Sequence, residues 1–567
     1  MAGSHDASTT SSSSTISDVS TRSSHGPHAV PGMSTELEKA ETAQPAPPAR
    51  NHSIDRIQSQ AQSVLSTVRS RRPVPPFNHP LGHTKTAPDV VVDFDGPDDP
   101  YNPINWPTRK KVVTTLLYGF TTMGATWASS IYSPAVDQIS EEFNVGTTVS
   151  TLGIALLLFG FGLGPLVFAP LSEVLPSSLA VYGRKSAVLA PYFIAAIFSF
   201  ATAAAKDLQT IMLTRFFCGV FGSAPITNTG GVLGDIWSAK ERGLAMVGYA
   251  MAVVGGPTLG PIDLVLITAG GAIVQSYLRW RWTEYITGIF MMSILVLDII
   301  FLDESYPPVL LVYKARRLRH TTGNWALHAK HEEWDVNLRE LAHSYLIRPF
   351  QLLTTPICFL VALYASFVYG ILYAQLAAFP VVFEEHRGWN RVVGALPFLA
   401  ILTGILIGAV ANLFNQAYYY KRLKANRFKP VPEARLPPMM FGSVFFAAGL
   451  FVFAWTAAPR FHWIAPVIGC VCVGIGFFTI FQAALNYLVD TFRQYAASAI
   501  AANTFLRSVL AGSFPLFMAP LLHAIGVDWG ISIFGFIAVA LIPIPYLFFV
   551  YGERIRARGE FSRDSTK

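Results

Sequence analysis

Between two strongly apolar runs the chain reads Pro170-Leu171-Ser172-Glu173-Val174 and, after seven further residues, Tyr182-Gly183-Arg184-Lys185. The acidic and basic groups form a polar turn, and the segments on either side, Thr151 to Leu171 and Ser186 to Ala204, are each long enough to cross a membrane as a helix, which takes about 20 apolar residues. Working outward, the pattern recurs. Further apolar runs cover Val112 to Pro134, Leu208 to Asn228, Gly243 to Leu266 and Glu284 to Leu302. After a long polar stretch come Thr355 to Ala378, Gly394 to Phe414, Met439 to Ala457, Ile464 to Leu488, Ser498 to Leu522 and Trp529 to Val550. The expected fold is an all-α membrane protein of twelve transmembrane helices in two six-helix halves.

Composition agrees. The 567 residues are 52% hydrophobic and only 14% charged, and the mean hydropathy is +0.41. Such a chain cannot cover itself with polar surface in water, which excludes a soluble enzyme. Residues 1–98 are rich in Ser, Thr, Pro and His, hold no apolar run and are expected to form a disordered tail. They lack a charged segment followed by a hydrophobic one, so no cleavable signal is expected and the first span serves for targeting. The remaining divisions are an N-terminal half at 99–302, a central loop at 303–354, a C-terminal half at 355–551 and a tail at 552–567. The four cysteines, Cys218, Cys358, Cys470 and Cys472, lie in or beside apolar segments and read as packing residues.

A net charge of +7 is explained by loops beside membrane spans better than by nucleic acid. Arg109, Lys110 and Lys111 precede the first span, Arg184 and Lys185 follow the second, and Lys240 and Arg242 follow the fourth. The central loop, Lys421 to Arg435, and Arg554, Arg556 and Arg558 continue the series, whereas Asp137, Glu141, Glu142, Glu384, Glu385 and Asp528 occupy the alternate connections. The positive-inside rule then puts both termini in the cytosol. The sequon Asn51-His52-Ser53 falls on the wrong side for glycosylation.

Glu173 with Tyr182-Gly183-Arg184-Lys185 resembles the loop motif between the second and third helices of the major facilitator superfamily. Arg215, in Arg215-Phe216-Phe217-Cys218-Gly219, resembles its fourth-helix arginine motif, and Gly255-Gly256-Pro257-Thr258-Leu259-Gly260-Pro261 resembles the glycine-proline motif of its proton antiporters. Asp99-Pro100-Tyr101-Asn102-Pro103, Trp280-Arg281-Trp282-Thr283-Glu284-Tyr285, Pro432-Glu433-Ala434-Arg435-Leu436-Pro437-Pro438 and Asn486-Tyr487-Leu488-Val489-Asp490 narrow the likeness to the fungal twelve-span drug:proton antiporters, which include multidrug and polyamine exporters. The resemblance runs over about residues 98 to 556 and points to the family more sharply than to a substrate.

The residues support separate roles. Glu173 with Arg184 or Lys185 suits a charge latch broken when the halves rock, with plain positive-inside anchoring the rival role for Lys185. Arg215 lies inside an apolar run, where arginine is costly unless it faces the bundle interior or a wet cavity, so coupling or substrate handling is expected of it. Gly256 and Gly260 allow close helix approach and Pro257 and Pro261 bend the span. Asp298 either lies near the cytosolic boundary or serves as a protonatable carboxylate. Tyr132, Asn228, Tyr369, Tyr373, Gln375, Gln482, Asn486, Asn503 and Arg507 are the expected cavity lining, with helix-helix hydrogen bonding the rival role for the amides. The absence of a strong intramembrane acidic cluster argues against a dedicated polyamine carrier and for a broader or organic-acid substrate.

Two stretches depart from the family pattern. Leu175 to Val181 interrupts what is usually a continuous Glu-x-Tyr-Gly-Arg-Lys turn, and Asp263 to Thr268 separates Gly260-Pro261-Ile262 from Ala269-Gly270-Gly271. Six residues added to a helix give about 9 Å of rise and roughly 240° of rotation, so each stretch reads as a misplaced splice junction, with a genuine bulge as the alternative. The resemblance implies proton-driven efflux of a toxin, secondary metabolite or drug-like molecule by a cell-membrane monomer, an internal membrane being the alternative. The partners implied are lipid, protons and a small molecule. No cofactor, metal or nucleic acid is expected, and the absence of a GxxxxGK[ST] loop leaves ATP-driven transport without support. The rivals are a polyamine exporter, uptake by symport, and a transporter-like receptor that senses a solute without moving it.

Overall fold

The computed structural model describes residues 90–96, 98–174, 183–238, 241–261, 279–333, 346–427, 429–559 and 561–562. Most of the expected tail, including Asn51, and both interrupting stretches, 175–181 and 263–268, lie outside the described residues. The described chain is built of helices, as the apolar runs require, because backbone groups facing hydrocarbon have to be satisfied within their own segment.

In the N-terminal half these are α1 (Thr108–Ser130), a short α2 (Val136–Phe143), α3 (Thr147–Val174), α4 (Arg184–Ala203), α5 (Leu208–Ile236), α6 (Arg242–Leu259) and α7 (Arg281–Phe301). An amphipathic α8 (Pro307–Thr322) follows. The C-terminal half comprises α9 (Pro356–Phe379), α10 (Pro397–Ala425), α11 (Pro437–Thr456), α12 (Ile464–Thr491), α13 (Ala496–Ile525), α14 (Val527–Leu541) and α15 (Pro543–Arg558).

The ends follow local chemistry. The Asp207 carboxylate accepts the Thr210 N–H at 2.8 Å and caps α5. Two prolines open α8, and Gly323, at φ 69°, closes it in a left-handed conformation that a side chain would resist.

Among the described residues ten helices are long and apolar enough to cross a membrane by length and composition. α1, rich in Thr and Ser, is not among them, and neither is α6, which is described only to Leu259. Large side chains such as Leu213, Phe414 and Val550 stand 60%, 74% and 68% exposed on the outside, an arrangement suited to lipid and not to water. One continuous apolar core runs through both halves.

The halves repeat one packing scheme. α1 against α6, α3 against α5, and α4 against α5 and α7 are matched by α9 against α13, α10 against α12, and α11 against α12 and α14. Between the halves, α3 meets α13 and α6 meets α10.

Two expected boundaries move. Val91–Val92 pairs in parallel with His328–Ala329, and Lys314 of α8 is buried against Asp99 at 2.7 Å, so the end of the expected tail is ordered against the central loop. Burial pushes the Asp99 carboxyl up, but its Lys314 and backbone hydrogen bonds hold it below the usual carboxylate range. At the far end, α15 continues past residue 551 because Arg556 is buried against Glu433 at 2.6 Å.

Candidate functional site

Arg215 sits at the centre of the N-terminal half on α5, with no exposure, paired with an equally buried Glu284 of α7 at 2.9 Å. The same Nη1 donates to the Ala128 carbonyl at 2.8 Å, and Nε donates to the Gly153 carbonyl at 3.2 Å. The Tyr132 ring covers the guanidinium at 4.4 Å, which makes Tyr132 a lid on this pair. One atom on each side, Arg215 Nη2 and Glu284 Oε2, has no partner among the described residues. The buried pair therefore has the two N–H groups of Nη2 and one carboxylate oxygen unpartnered among the described residues, so a change in the charge of Glu284 would strongly change the local electrostatics.

Asp298 lies further along α7 and is also fully buried. Thr121 of α1 donates to its Oδ2 at 2.6 Å, while Oδ1 has no partner among the described residues. Nearby, the buried hydroxyls of Tyr118 and Tyr192 are likewise unpartnered. The side chain points into the α1–α7 interface and lies within electrostatic range of Lys185.

At one face of the half, Arg184 opens α4 and binds Asp235, at the end of α5, through Nε at 3.2 Å, with its guanidinium over Tyr306 at 5.0 Å. The Glu304 carboxylate, just beyond α7, accepts the backbone N–H groups of Arg184 at 2.9 Å and Lys185 at 3.1 Å, and also those of Ser305 and Tyr306. An anion on the first turn of α4 is favourable there. Burial nonetheless pushes the Glu304 carboxyl above its ordinary range, and the amide donors only partly offset it. Lys185 Nζ donates in return to the Leu302 carbonyl at 2.5 Å, capping the end of α7. Glu173 lies in the last turn of α3, and its side chain lies outside the described residues.

The second half carries the matching device. Arg435, before α11, binds Asp490 at the end of α12 at 2.9 Å and Gln416 of α10 at 2.6 Å, with its guanidinium on Tyr419 at 3.3 Å. These two clusters define a basic face. The opposite face carries Glu142 with Arg281 at 2.6 Å and, bridging the halves, Asp137 with Arg391 at 2.8 Å.

Between the halves lie several of the expected cavity residues. Ser129 of α1 and Tyr373 of α9 share a hydrogen bond at 2.8 Å. Tyr369 packs on Tyr373 at 5.3 Å and stacks on Phe481 at 5.7 Å. Arg507 of α13 lies over both Tyr369, at 4.6 Å, and Phe481, at 5.2 Å. Asn503 is one turn before Arg507 and fully buried, and Gln482, on α12 next to Phe481, is buried too.

The other amides are placed differently. Asn228 bridges α5 to the Phe168 carbonyl of α3 at 3.5 Å. Gln375 is buried inside the C-terminal half, lining a small void with Leu450, Phe453, Met518 and Phe534. Asn486 is half-buried on α12.

The glycine-proline segment meets α1. A Cβ on Gly256 would fall 2.0 Å from Thr126 Oγ1 and 2.8 Å from the Trp127 backbone nitrogen, and one on Gly260 would fall 2.1 Å from Ser130 Oγ. Only glycine permits this approach, and the Ser130 hydroxyl uses it to reach the Gly256 carbonyl at 3.4 Å. Pro257 lies within α6, which ends at Leu259, and Pro261 follows that end.

Sequence reasoning missed Glu284, Asp235 and Glu304. An acid just inside the sixth apolar run was the available signal for Glu284. Asp235 was hidden because the apolar run stops before the helix does, and Glu304 because its partners are backbone amides, which carry no sequence signal. Among the described residues the four cysteines are free thiols, three of them buried.

Residues 118–515 match the family model described as Major Facilitator Superfamily. The chain is 55% identical over 477 residues to the efflux pump bik6 of Gibberella fujikuroi, covering 84% of this chain and 96% of that protein. It is 42% identical over 497 residues to the MFS-type transporter acdC of Aspergillus candidus, covering 86% and 95%. It is 41% identical over 476 residues to the ascochitine biosynthesis cluster MFS transporter of Didymella fabae, covering 84% and 90%.

Proposed function

This chain belongs to the Major Facilitator Superfamily and is a multi-pass membrane transporter, not an enzyme; from that premise we propose that it is a proton-coupled antiporter that exports a small, amphipathic secondary metabolite or toxin. The fully buried Arg215–Glu284 pair, with one unpartnered atom on each side, carries the reading. A buried ion pair of this kind is poor as a stabilising device but well suited to a switch, because adding a proton to Glu284 removes half of it. Asp298 supplies a second buried carboxylate in the same half.

Coupling then follows from geometry. Arg215 ties α5 to α7 through Glu284 and reaches the backbones of α1 and α3, so the charge state of the pair bears on how four helices of one half pack. Rocking of the halves about the aromatic layer would break Asp137–Arg391 and Ser129–Tyr373 on one side and open the cargo site there. We assign the basic face to the cytosol, with the chain in the cell membrane, by the positive-inside rule. The names of the relatives, an efflux pump and a biosynthesis-cluster transporter, favour export and a metabolite cargo. A polyamine cargo is disfavoured by Arg507, a cation at the aromatic layer.

The test is flux in proteoliposomes holding the purified full chain, with an imposed pH gradient and a panel of amphipathic fluorescent compounds. Counterflow that collapses with a protonophore and is lost in Glu284→Gln is the expected result. Gradient-driven movement in the same direction as protons would replace antiport with symport. Binding without any flux would replace transport with sensing.

A further inference from the structure

Arg507 differs from the other buried basic side chains. Arg184, Arg215, Lys314 and Arg556 each have a carboxylate partner, and Lys111 donates to the Ile104 carbonyl at 2.7 Å. Arg507 is 5% exposed, and among the described residues its Nε has no hydrogen-bond partner and no carboxylate pairs with it. What it has is aromatic faces: Tyr369 at 4.6 Å and Phe481 at 5.2 Å. Cation–π contacts offset part of the cost of burying a guanidinium but do not give its Nε–H an acceptor. One turn away on the same face of α13, Asn503 is fully buried with both amide atoms unpartnered. Two neighbouring polar groups with unspent hydrogen-bonding capacity, walled by stacked rings, describe a site that is complete only when something anionic and flat occupies it.

We propose that the cargo is an aromatic acid, a conjugated ring system bearing a carboxylate or ionised phenol, with its anionic oxygen on Arg507, a hydrogen bond to Asn503 and its ring against Tyr369 and Phe481. This rests on the efflux reading above and adds the charge of the cargo to it. The guanidinium fork matches a carboxylate in two parallel bonds, and the stack of Phe477, Phe481 and Tyr369, with the first pair at 5.9 Å and nearly parallel at 5°, offers faces for a planar molecule. The N-terminal half lies beside the site: Tyr249 of α6 is within electrostatic range of both Arg507 and Tyr369. The anion therefore sits where the two halves meet, the place that rocking exposes to each side in turn.

The experiment uses one ring in three charge states: pyrenebutyrate, the neutral pyrenebutanol and pyrenebutylammonium. Binding to the purified full chain is read by pyrene fluorescence and pH-driven flux in proteoliposomes. Pyrenebutyrate is expected to bind the wild type most tightly, and Arg507→Gln to weaken it by roughly 10- to 100-fold, the worth of a charge-assisted hydrogen bond, while pyrenebutanol changes little. Arg507→Lys keeps the charge but not the fork and is expected to fall between, which also serves if the Gln variant does not fold. Equal binding of the three probes, or a charge preference unchanged in both variants, overturns the proposal even if flux persists. Pyrenebutyrate bound through Arg507 but never moved by a pH gradient leaves this inference standing and removes the efflux reading instead.

Discussion

Replacing Glu284 separates the energetic from the coupling role of the buried pair. Glu284→Gln keeps an oxygen where Oε1 now accepts from Arg215 Nη1 at 2.9 Å, so the guanidinium keeps this charge-assisted hydrogen bond but loses its counter-charge. The loss is smaller than for a truncation that removes the acceptor as well. Glu284→Ala leaves the guanidinium buried with only the Ala128 and Gly153 carbonyls and the Tyr132 ring, and breaking a buried pair in this way costs about 3–5 kcal/mol. Removing both charges, in Arg215→Met with Glu284→Leu, leaves no unpaired charge, only the Ala128 and Gly153 carbonyls without their side-chain donor, and recovers part of that loss, giving a coupling energy of several kcal/mol. Denaturation of the detergent-purified full chain measures the stabilities, and proteoliposome flux with and without a pH gradient measures coupling. Glu284→Gln and the double variant are both expected to stay folded and to lose gradient-driven flux. An Ala variant as stable as wild type, with coupling to Arg215 under about 0.5 kcal/mol, would show that the pair is not a buried one and would refute the reasoning.

Other substitutions probe the remaining parts. Asp298→Asn preserves an acceptor for Thr121 at 2.6 Å but cannot ionise, so normal folding with reduced proton-driven flux is expected, and unchanged flux across pH would remove Asp298 from the coupling path. Gly256→Val drives a Cβ to within 2.0 Å of Thr126 and should cost about 1–3 kcal/mol, while Gly255→Ala, whose nearest atom would be 4.0 Å away, should be tolerated; equal melting of the two would contradict the close approach of α6 to α1. Glu304 provides a pH test. Its carboxyl is raised by burial, so the folded state holds the proton more firmly than the unfolded one. Its contribution is full below the ordinary carboxylate value and is lost as pH rises through the raised one. Stability measured over that window should fall with rising pH in the wild type and fall less in Glu304→Gln; identical profiles would place Glu304 in contact with solvent.

The architecture was legible because a membrane helix announces itself by length and hydropathy, and the resemblance in Tyr182-Gly183-Arg184-Lys185 and Gly256-Pro257 carried the family. Arg215 was legible for the same reason, since a cation in an apolar run stands out. Its partner was less so: Glu284 follows Trp282 and Thr283 at the very start of a span and passes for an interfacial residue until α7 is seen against α5. The helix ends were read short because charged residues such as Asp235 continue the hydrogen-bond ladder after the apolar run has stopped. Gln375 shows the limit of choosing cavity residues by polarity. A helix buried all round offers several inward faces, and only packing shows that this amide faces α11 and α14 and not the other half.

The repeated packing scheme makes the chemical asymmetry of the halves informative. Both halves carry a basic-face cluster of the same design, Arg184 with Asp235 and Arg435 with Asp490, as symmetric rocking requires. Inside the bundle they diverge. The helices of the first half bury Arg215, Glu284 and Asp298. Among the described residues those of the second bury no carboxylate at all, but hold Arg507 within the stack of Tyr369, Phe477 and Phe481. If protons and cargo competed for one group, the titrating carboxylates would lie beside the aromatic layer. They lie instead in the other half, so under the proposed antiport the exchange between proton and cargo would pass through the fit of one half on the other. The seam that carries it is where α3 meets α13 and α6 meets α10, with Tyr249 on one side and Arg507 on the other. Tyr249→Phe is therefore expected to leave cargo binding intact and to loosen the link between proton movement and flux, read as gradient-independent leak of cargo; a variant as tightly coupled as the wild type would move the connection away from this seam.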